Sequence, residues 1–106
     1  MSVYEERVGR NEAIFREVNE RIADLEEQFS AGPSALNLVC ECARPTCVEP
    51  LVVPHEVYTH VREHRSRFLV ASGHEEPAFE QVVERHPAFL VVEKQGAAAE
   101  AADEYL

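Results

Sequence analysis

The fold of this 106-residue chain depends on ten consecutive residues near its middle, Val39-Cys40-Glu41-Cys42-Ala43-Arg44-Pro45-Thr46-Cys47-Val48. All three cysteines of the chain lie here, with the spacing Cys-x-Cys-x4-Cys. Because side chains alternate along a strand, an extended segment 38–42 places Cys40 and Cys42 on the same side. A turn at Arg44-Pro45 then returns Cys47 to them. Three converging thiolates are typical of a tetrahedral zinc site (Zn2+), which requires a fourth ligand.

A fourth ligand from the protein must be a histidine or a carboxylate, because the chain has no further cysteine. We favour His74, since Gly73 gives the backbone freedom to turn just before it. His64 is the second choice, and the other histidines, a carboxylate or a water stay open. The predicted metal ligands are therefore Cys40, Cys42, Cys47 and His74.

Two other interpretations of the cysteines compete with zinc. Cysteine often serves as a small buried hydrophobe, and three of them in a valine-rich hairpin can simply be core. An iron–sulfur centre or a redox switch is the other alternative, but it calls for a fourth thiolate or an exposed reactive thiol. We prefer zinc because Cys-x-Cys directs both thiols to one face.

The N-terminal third is predicted to form one long helix that begins at Ser2 or Asn11 and ends near Phe29. Positions 8, 11, 15, 18, 22, 25 and 29 alternate steps of three and four, and all except Asn11 are apolar. We expect this stripe to pack on the core of its own domain. Pairing with a second copy of the chain, as a homodimer through the N-terminal helix, is the alternative.

The remaining chain changes to the period of strands. Segments 35–42 and 48–53 are predicted strands joined by the cysteine turn, followed by a helix from Pro54 to near Arg65. Further strands are expected at 68–71 and 88–93, while 79–84 fits a short helix or a strand equally well. The predicted class is α+β: a long N-terminal helix plus a small antiparallel sheet with a zinc-stapled hairpin. We divide the chain into an N-terminal helix with its linker (1–34), a zinc-binding α+β domain (35–95) and a flexible tail (96–106).

Composition narrows the range of partners. Acidic residues outnumber Lys and Arg by 20 to 10, so nucleic acid is an unlikely partner and we expect a protein. No apolar run approaches the roughly 20 residues that span a bilayer, and the N-terminus lacks a signal-peptide pattern. We therefore expect a cytoplasmic protein with no membrane contact, in which the thiols stay reduced.

A second motif is His60-Val61-Arg62-Glu63-His64, which matches the His-x-x-Glu-His helix of inverted zinc peptidases. Such a site needs a third ligand from a later helix, but the residues that follow are predicted to be mostly strand and tail. A metal-dependent hydrolase using His60, Glu63 and His64 is thus a lesser alternative.

Several separated motifs resemble a group of short uncharacterised actinobacterial proteins. The resemblance covers about residues 11 to 94. The similar motifs are the three cysteines with the preceding Leu38-Val39, the segments 67–75 and 82–85, and Val91-Val92-Glu93-Lys94. The group is similar in having the Cys-x-Cys-x4-Cys run and the later Gly-His-Glu loop. The resemblance implies a bacterial cytosolic protein and adds weight to His74, but it brings no activity with it.

The sequence thus predicts a small zinc-binding protein that acts as a non-catalytic interaction or regulatory module. Thiolate-rich zinc sites with four protein ligands are usually structural, so we do not expect an enzyme. The alternative is a thiol-based redox or metal sensor that releases zinc on oxidation.

Overall fold

The computed structural model of the chain describes residues 3–29, 35–42, 44 and 46–95. Its elements are helix α1 (Val3–Phe29), strands β1 (Ala35–Val39) and β2 (Pro50–Pro54), helix α2 (His55–Arg62), and strands β3 (Arg67–Ala71), β4 (Glu80–Arg85) and β5 (Phe89–Lys94). The predicted α+β class is confirmed. The predicted tail (96–106) and the linker before β1 (30–34) lie outside the described residues.

Strands β1 and β2 form an antiparallel hairpin in which Leu38 lies opposite Leu51. Burial alternates along both strands: Leu36 and Leu38 are buried in β1, as are Leu51 and Val53 in β2, and the residues between them are not. This alternation is typical of a hairpin with one face on the core and the other toward solvent.

The remaining strands form a second antiparallel sheet in the order β3-β5-β4. The paired strands β3 and β5 are buried at almost every residue, which indicates that both faces of this part of the sheet are covered. Segment 79–84, for which the sequence left helix and strand open, contributes most of β4. A register shift between Val82 and Glu84 interrupts its pairing with β5.

The segment that follows β1 joins the two sheets. The Glu41 backbone amide donates a 2.7 Å hydrogen bond to the Leu69 carbonyl of β3, and the Leu69 amide donates a 2.9 Å bond to the Glu41 carboxylate. Both residues are fully buried. Cys40 and Cys42 flank Glu41, so the cysteine segment lies where the hairpin meets the second sheet.

Helix α1 faces the domain differently from our expectation. We expected the apolar stripe to lie on the core, but Val18 is 42% exposed and Leu25 is 50% exposed. The buried face instead carries Glu12, Arg16 and Asn19. Its polar groups have partners in the domain, since the Asn19 side-chain amide donates to the Val39 carbonyl (2.7 Å) and its oxygen accepts from the Val39 amide (2.9 Å). Specific polar pairing, which the hydrophobic pattern does not reveal, thus sets the orientation of the helix.

The described part of the chain contains no helix that is both long enough and apolar enough to cross a membrane.

Candidate metal centre

The hairpin turn brings the cysteines together. The Cys40 amide donates a 2.8 Å hydrogen bond to the Glu49 carbonyl, which extends the pairing of β1 and β2 toward the turn. The Cys47 amide donates to the Arg44 carbonyl at 3.1 Å, and this closes the turn. Cys47 is thereby returned to the side of Cys40 and Cys42, as the sequence predicted.

His74 reaches the same point from the end of β3. Strand β3 ends at Ala71, and Gly73 adopts a positive φ of 88°, a backbone conformation that glycine reaches without strain. The His74 amide donates to the Ala71 carbonyl at 2.9 Å, so the chain reverses tightly at this position. The turn directs the imidazole of His74 toward the cysteines.

The four side chains converge on one point. The sulfurs of Cys40, Cys42 and Cys47 and a ring nitrogen of His74 all lie within 4.8 Å of one another. His74 Nδ1 is 3.6 Å from Cys40 Sγ and 3.5 Å from Cys47 Sγ. Zinc–sulfur and zinc–nitrogen bonds of about 2.3 and 2.05 Å at tetrahedral angles separate S from N by about 3.6 Å. These two measured S–N distances therefore match a tetrahedral zinc site.

Backbone amides donate hydrogen bonds to the buried sulfurs. The Ala71 amide lies 3.1 Å from Cys40 Sγ, and the amides of Cys42 and Arg44 donate to the sulfurs of Cys40 and Cys42, respectively. Burial raises the pKa of the Cys40 and Cys42 thiols above the usual range, and these amides counteract part of the rise. Amide donors of this kind favour the thiolate, which is the form of cysteine that binds metal ions.

A carboxylate orients the histidine. His74 Nε2 lies 3.3 Å from the Glu49 carboxylate, while Nδ1 faces the sulfurs. In metal sites, the ring nitrogen that does not bind the metal commonly donates to a carboxylate, which fixes the tautomer. The sequence analysis did not identify Glu49, and its only signal was an acidic residue two positions after Cys47.

Burial is uneven across the cluster. Cys40 and Cys42 are buried members of the hydrophobic core. Cys47 is half-buried and packs against this core, and His74 is also half-buried. Arg44, which is exposed, donates to the Gly73 carbonyl at 3.5 Å and links the cysteine turn to the histidine turn. The cluster therefore joins the hairpin to the end of β3 and presents one side toward solvent.

The other histidines have different partners. His55 pairs with Glu27 at 2.7 Å, and His86 pairs with Glu84 at 3.1 Å and stacks on Phe89. None of them joins the cysteine cluster. The choice of His74 over them agrees with the geometry.

The His-x-x-Glu-His motif lies at the end of α2. The helix ends at Arg62, so Glu63 and His64 follow it. His60 Nδ1 is 3.5 Å from the Glu63 carboxylate, and the rings of His60 and His64 are 5.9 Å apart. Among the described residues, these three do not form a group close enough to hold a metal ion.

Two buried ionic clusters were missed by the sequence analysis. Lys94 pairs with the carboxylates of Glu12 and Glu80, and all three side chains are almost inaccessible to solvent. Nearby, the Glu41 carboxylate pairs with the Arg62 guanidinium and accepts from the Asn19 amide (2.7 Å). The only hint was that Lys94, the single lysine of the chain, directly follows an apolar predicted strand.

Comparison with models of known protein families, with curated proteins and with solved structures gave no match to this chain. The resemblance to an actinobacterial group therefore stays a prediction.

Proposed function

We propose that this protein binds one zinc ion through Cys40, Cys42, Cys47 and His74 and that the ion has a structural role. The observation that carries the proposal is the convergence of three sulfurs and an imidazole nitrogen within 4.8 Å. The thiolate-rich donor set favours zinc over harder cations such as magnesium or calcium. Three cysteines kept as ligands also imply a reducing compartment, which agrees with a cytoplasmic protein.

The zinc ties together parts of the chain that are distant in sequence. Its ligands come from the hairpin and from the turn after β3, which are otherwise linked near the site by the Glu41–Leu69 hydrogen bonds and by Arg44. A domain of this size buries a modest core, so such a link contributes strongly to its stability. With four protein ligands, the ion keeps no open position for substrate, which supports a non-catalytic interaction or regulatory module.

The test is native mass spectrometry of the full chain purified without added metal. We expect one zinc per chain in the wild type and a loss of zinc in Cys47→Ser and His74→Ala. His86→Ala is the matched control, because His86 is also a half-buried histidine with a carboxylate partner but lies outside the cluster. A folded wild type without metal would overturn the proposal and leave the cysteines as core residues.

A redox sensor is the second candidate, and the half-buried position of Cys47 favours it. Peroxide can take two electrons from two of the thiolates, forming one disulfide and, with two protons, two waters, after which zinc leaves. We expect a structural site to keep its zinc under mild peroxide. Stoichiometric release of zinc, reversed by a thiol reductant, would identify the sensor instead.

A further inference from the structure

Helix α1 carries an apolar surface that points away from its own domain. This outer stripe consists of Ile14, Val18, Ile22 and Leu25. Ile14 and Leu25 are each 50% exposed and Val18 is 42% exposed, while Ile22 is partly covered by the core. Residues spaced by three, four or seven positions share one helical face, so the four form a continuous band about 17 Å long at 1.5 Å per residue.

The orientation of the helix makes this exposure unusual. A helix on the surface of a domain normally buries its apolar face and exposes its polar one. Here the buried face carries Glu12, Arg16 and Asn19, whose polar groups are engaged inside the chain. Because these partners hold α1 in place, the helix cannot rotate to cover the outer stripe without leaving charges unpaired in the core. The stripe therefore stays on the outer side of the helix, where a partner can cover it.

We propose that a second copy of this chain covers the outer stripe, with the two α1 helices antiparallel about a twofold axis. Such an interface is isologous, so the same stripe lies on both sides and buries its counterpart. With the axis near position 19, Ile14 of one copy lies close to Leu25 of the other, and the two Val18 residues meet near the centre. The band of each copy then faces a band of equal length.

Charges beside the stripe favour the antiparallel arrangement. Glu17 and Arg21 border the groove along the outer stripe, and each directly precedes a stripe residue, so both lie on the same edge. In an antiparallel pair, like edges meet, and Glu17 of each copy faces Arg21 of the other. In a parallel pair, opposite edges meet. The edge of one copy that carries Glu17 and Arg21 would then face the edge of the other copy that carries Phe15. The antiparallel dimer thus gains two complementary charge pairs that the parallel one lacks.

The proposal does not rest on a bound metal, because no residue of the stripe or its edge is a candidate ligand. Sedimentation equilibrium of the full chain, over micromolar to submillimolar concentrations, measures the dimer dissociation constant. We expect a dimer in the wild type and a dissociation constant at least about 100-fold higher in Leu25→Glu, because both copies lose an apolar contact and gain a buried charge. Val52→Glu, which places the same charge at an exposed apolar residue of β2, should leave the constant unchanged.

Charge swaps test the orientation. Glu17→Arg and Arg21→Glu should each weaken the dimer about tenfold, since each places like charges together twice. The double variant should restore wild-type affinity. Circular dichroism, measured on every variant, checks that the fold is kept. A wild type that stays monomeric at submillimolar concentration, or Leu25→Glu and Val52→Glu variants with equal effects, would overturn the dimer. Failure of the double variant to recover would overturn the antiparallel arrangement.

Discussion

The cysteine cluster and the Lys94 cluster solve the same physical problem in opposite ways. Both place groups in the core that are costly to bury alone. The cysteine cluster gathers candidate ligands mostly from one short turn, and in our proposal a cation from outside the chain balances their charge. In the Lys94 cluster, α1, β4 and β5 bring Glu12, Glu80 and Lys94 together, and the chain provides both signs of charge itself. We therefore expect the first cluster to depend on metal supply, and the second to depend on pH and on correct long-range packing.

The largest effect should come from removing the metal. Chelation of zinc, or Cys47→Ser, should lower the free energy of unfolding by several kcal/mol, because metal binding and folding are coupled. This is a large share of the roughly 5–15 kcal/mol that stabilises a domain. Chemical denaturation with and without chelator measures it. Chelator should have little further effect on Cys47→Ser, and equal melting temperatures for Cys47→Ser and wild type would contradict a structural site.

Breaking the Lys94 cluster should have the next largest effect. Lys94→Met leaves Glu12 and Glu80 without their cation and should cost about 3–5 kcal/mol. Adding Glu12→Gln and Glu80→Gln to this variant should restore part of the loss, because the buried charges are then removed. Denaturation of the single and triple variants at saturating zinc tests the pairing. If the triple variant is no more stable than the single one, the loss is due to packing and not to charge.

The Lys94 cluster should also make stability fall as pH rises. Burial raises the pKa of Glu12 from 4.5 to about 7, although Lys94 opposes this shift. The native state therefore holds a proton that the unfolded chain loses near pH 4.5, and its stabilising contribution is lost as pH rises through about 7. Between pH 5.5 and 8, wild type should lose about 2 kcal/mol more than Glu12→Gln. Denaturation at both pH values with saturating zinc measures this difference, and the exposed Glu56→Gln is the control that should follow wild type. An equal loss of stability between the two pH values in Glu12→Gln and wild type would contradict a buried proton at Glu12.

The smallest predicted effect concerns Glu49, the carboxylate that lies beside the candidate ligand His74. Glu49→Gln removes the carboxylate beside His74 Nε2 and should weaken zinc binding about 10- to 100-fold. Competition with a chromophoric chelator measures the affinity. Glu75→Gln, which changes a carboxylate next to His74 in sequence, is the comparison. Equal affinities for Glu49→Gln and wild type would mean that Glu49 does not orient the ring.

The same contrast explains what the sequence could predict. The cysteine triple and the Gly73-His74 turn are local patterns, and both strand alternation and glycine conformation act over a few residues. The α+β class and most elements were predictable for that reason. The partners Glu12, Glu80 and Lys94 are separated by many residues and follow no period, so only the folded structure brings them together. The inward polar face of α1 was missed for the same cause, since the hydrophobic pattern places Val18 and Leu25 on the core.

The most direct test of the central claim is zinc X-ray absorption spectroscopy of the zinc-loaded protein. The proposed site predicts three sulfur ligands at about 2.3 Å and one nitrogen ligand at about 2.0 Å. In His74→Ala, the nitrogen should be replaced by a water oxygen or the zinc should be lost. Fewer than three sulfur ligands on the zinc would contradict the site built from Cys40, Cys42, Cys47 and His74. Identical spectra for His74→Ala and wild type would contradict it too.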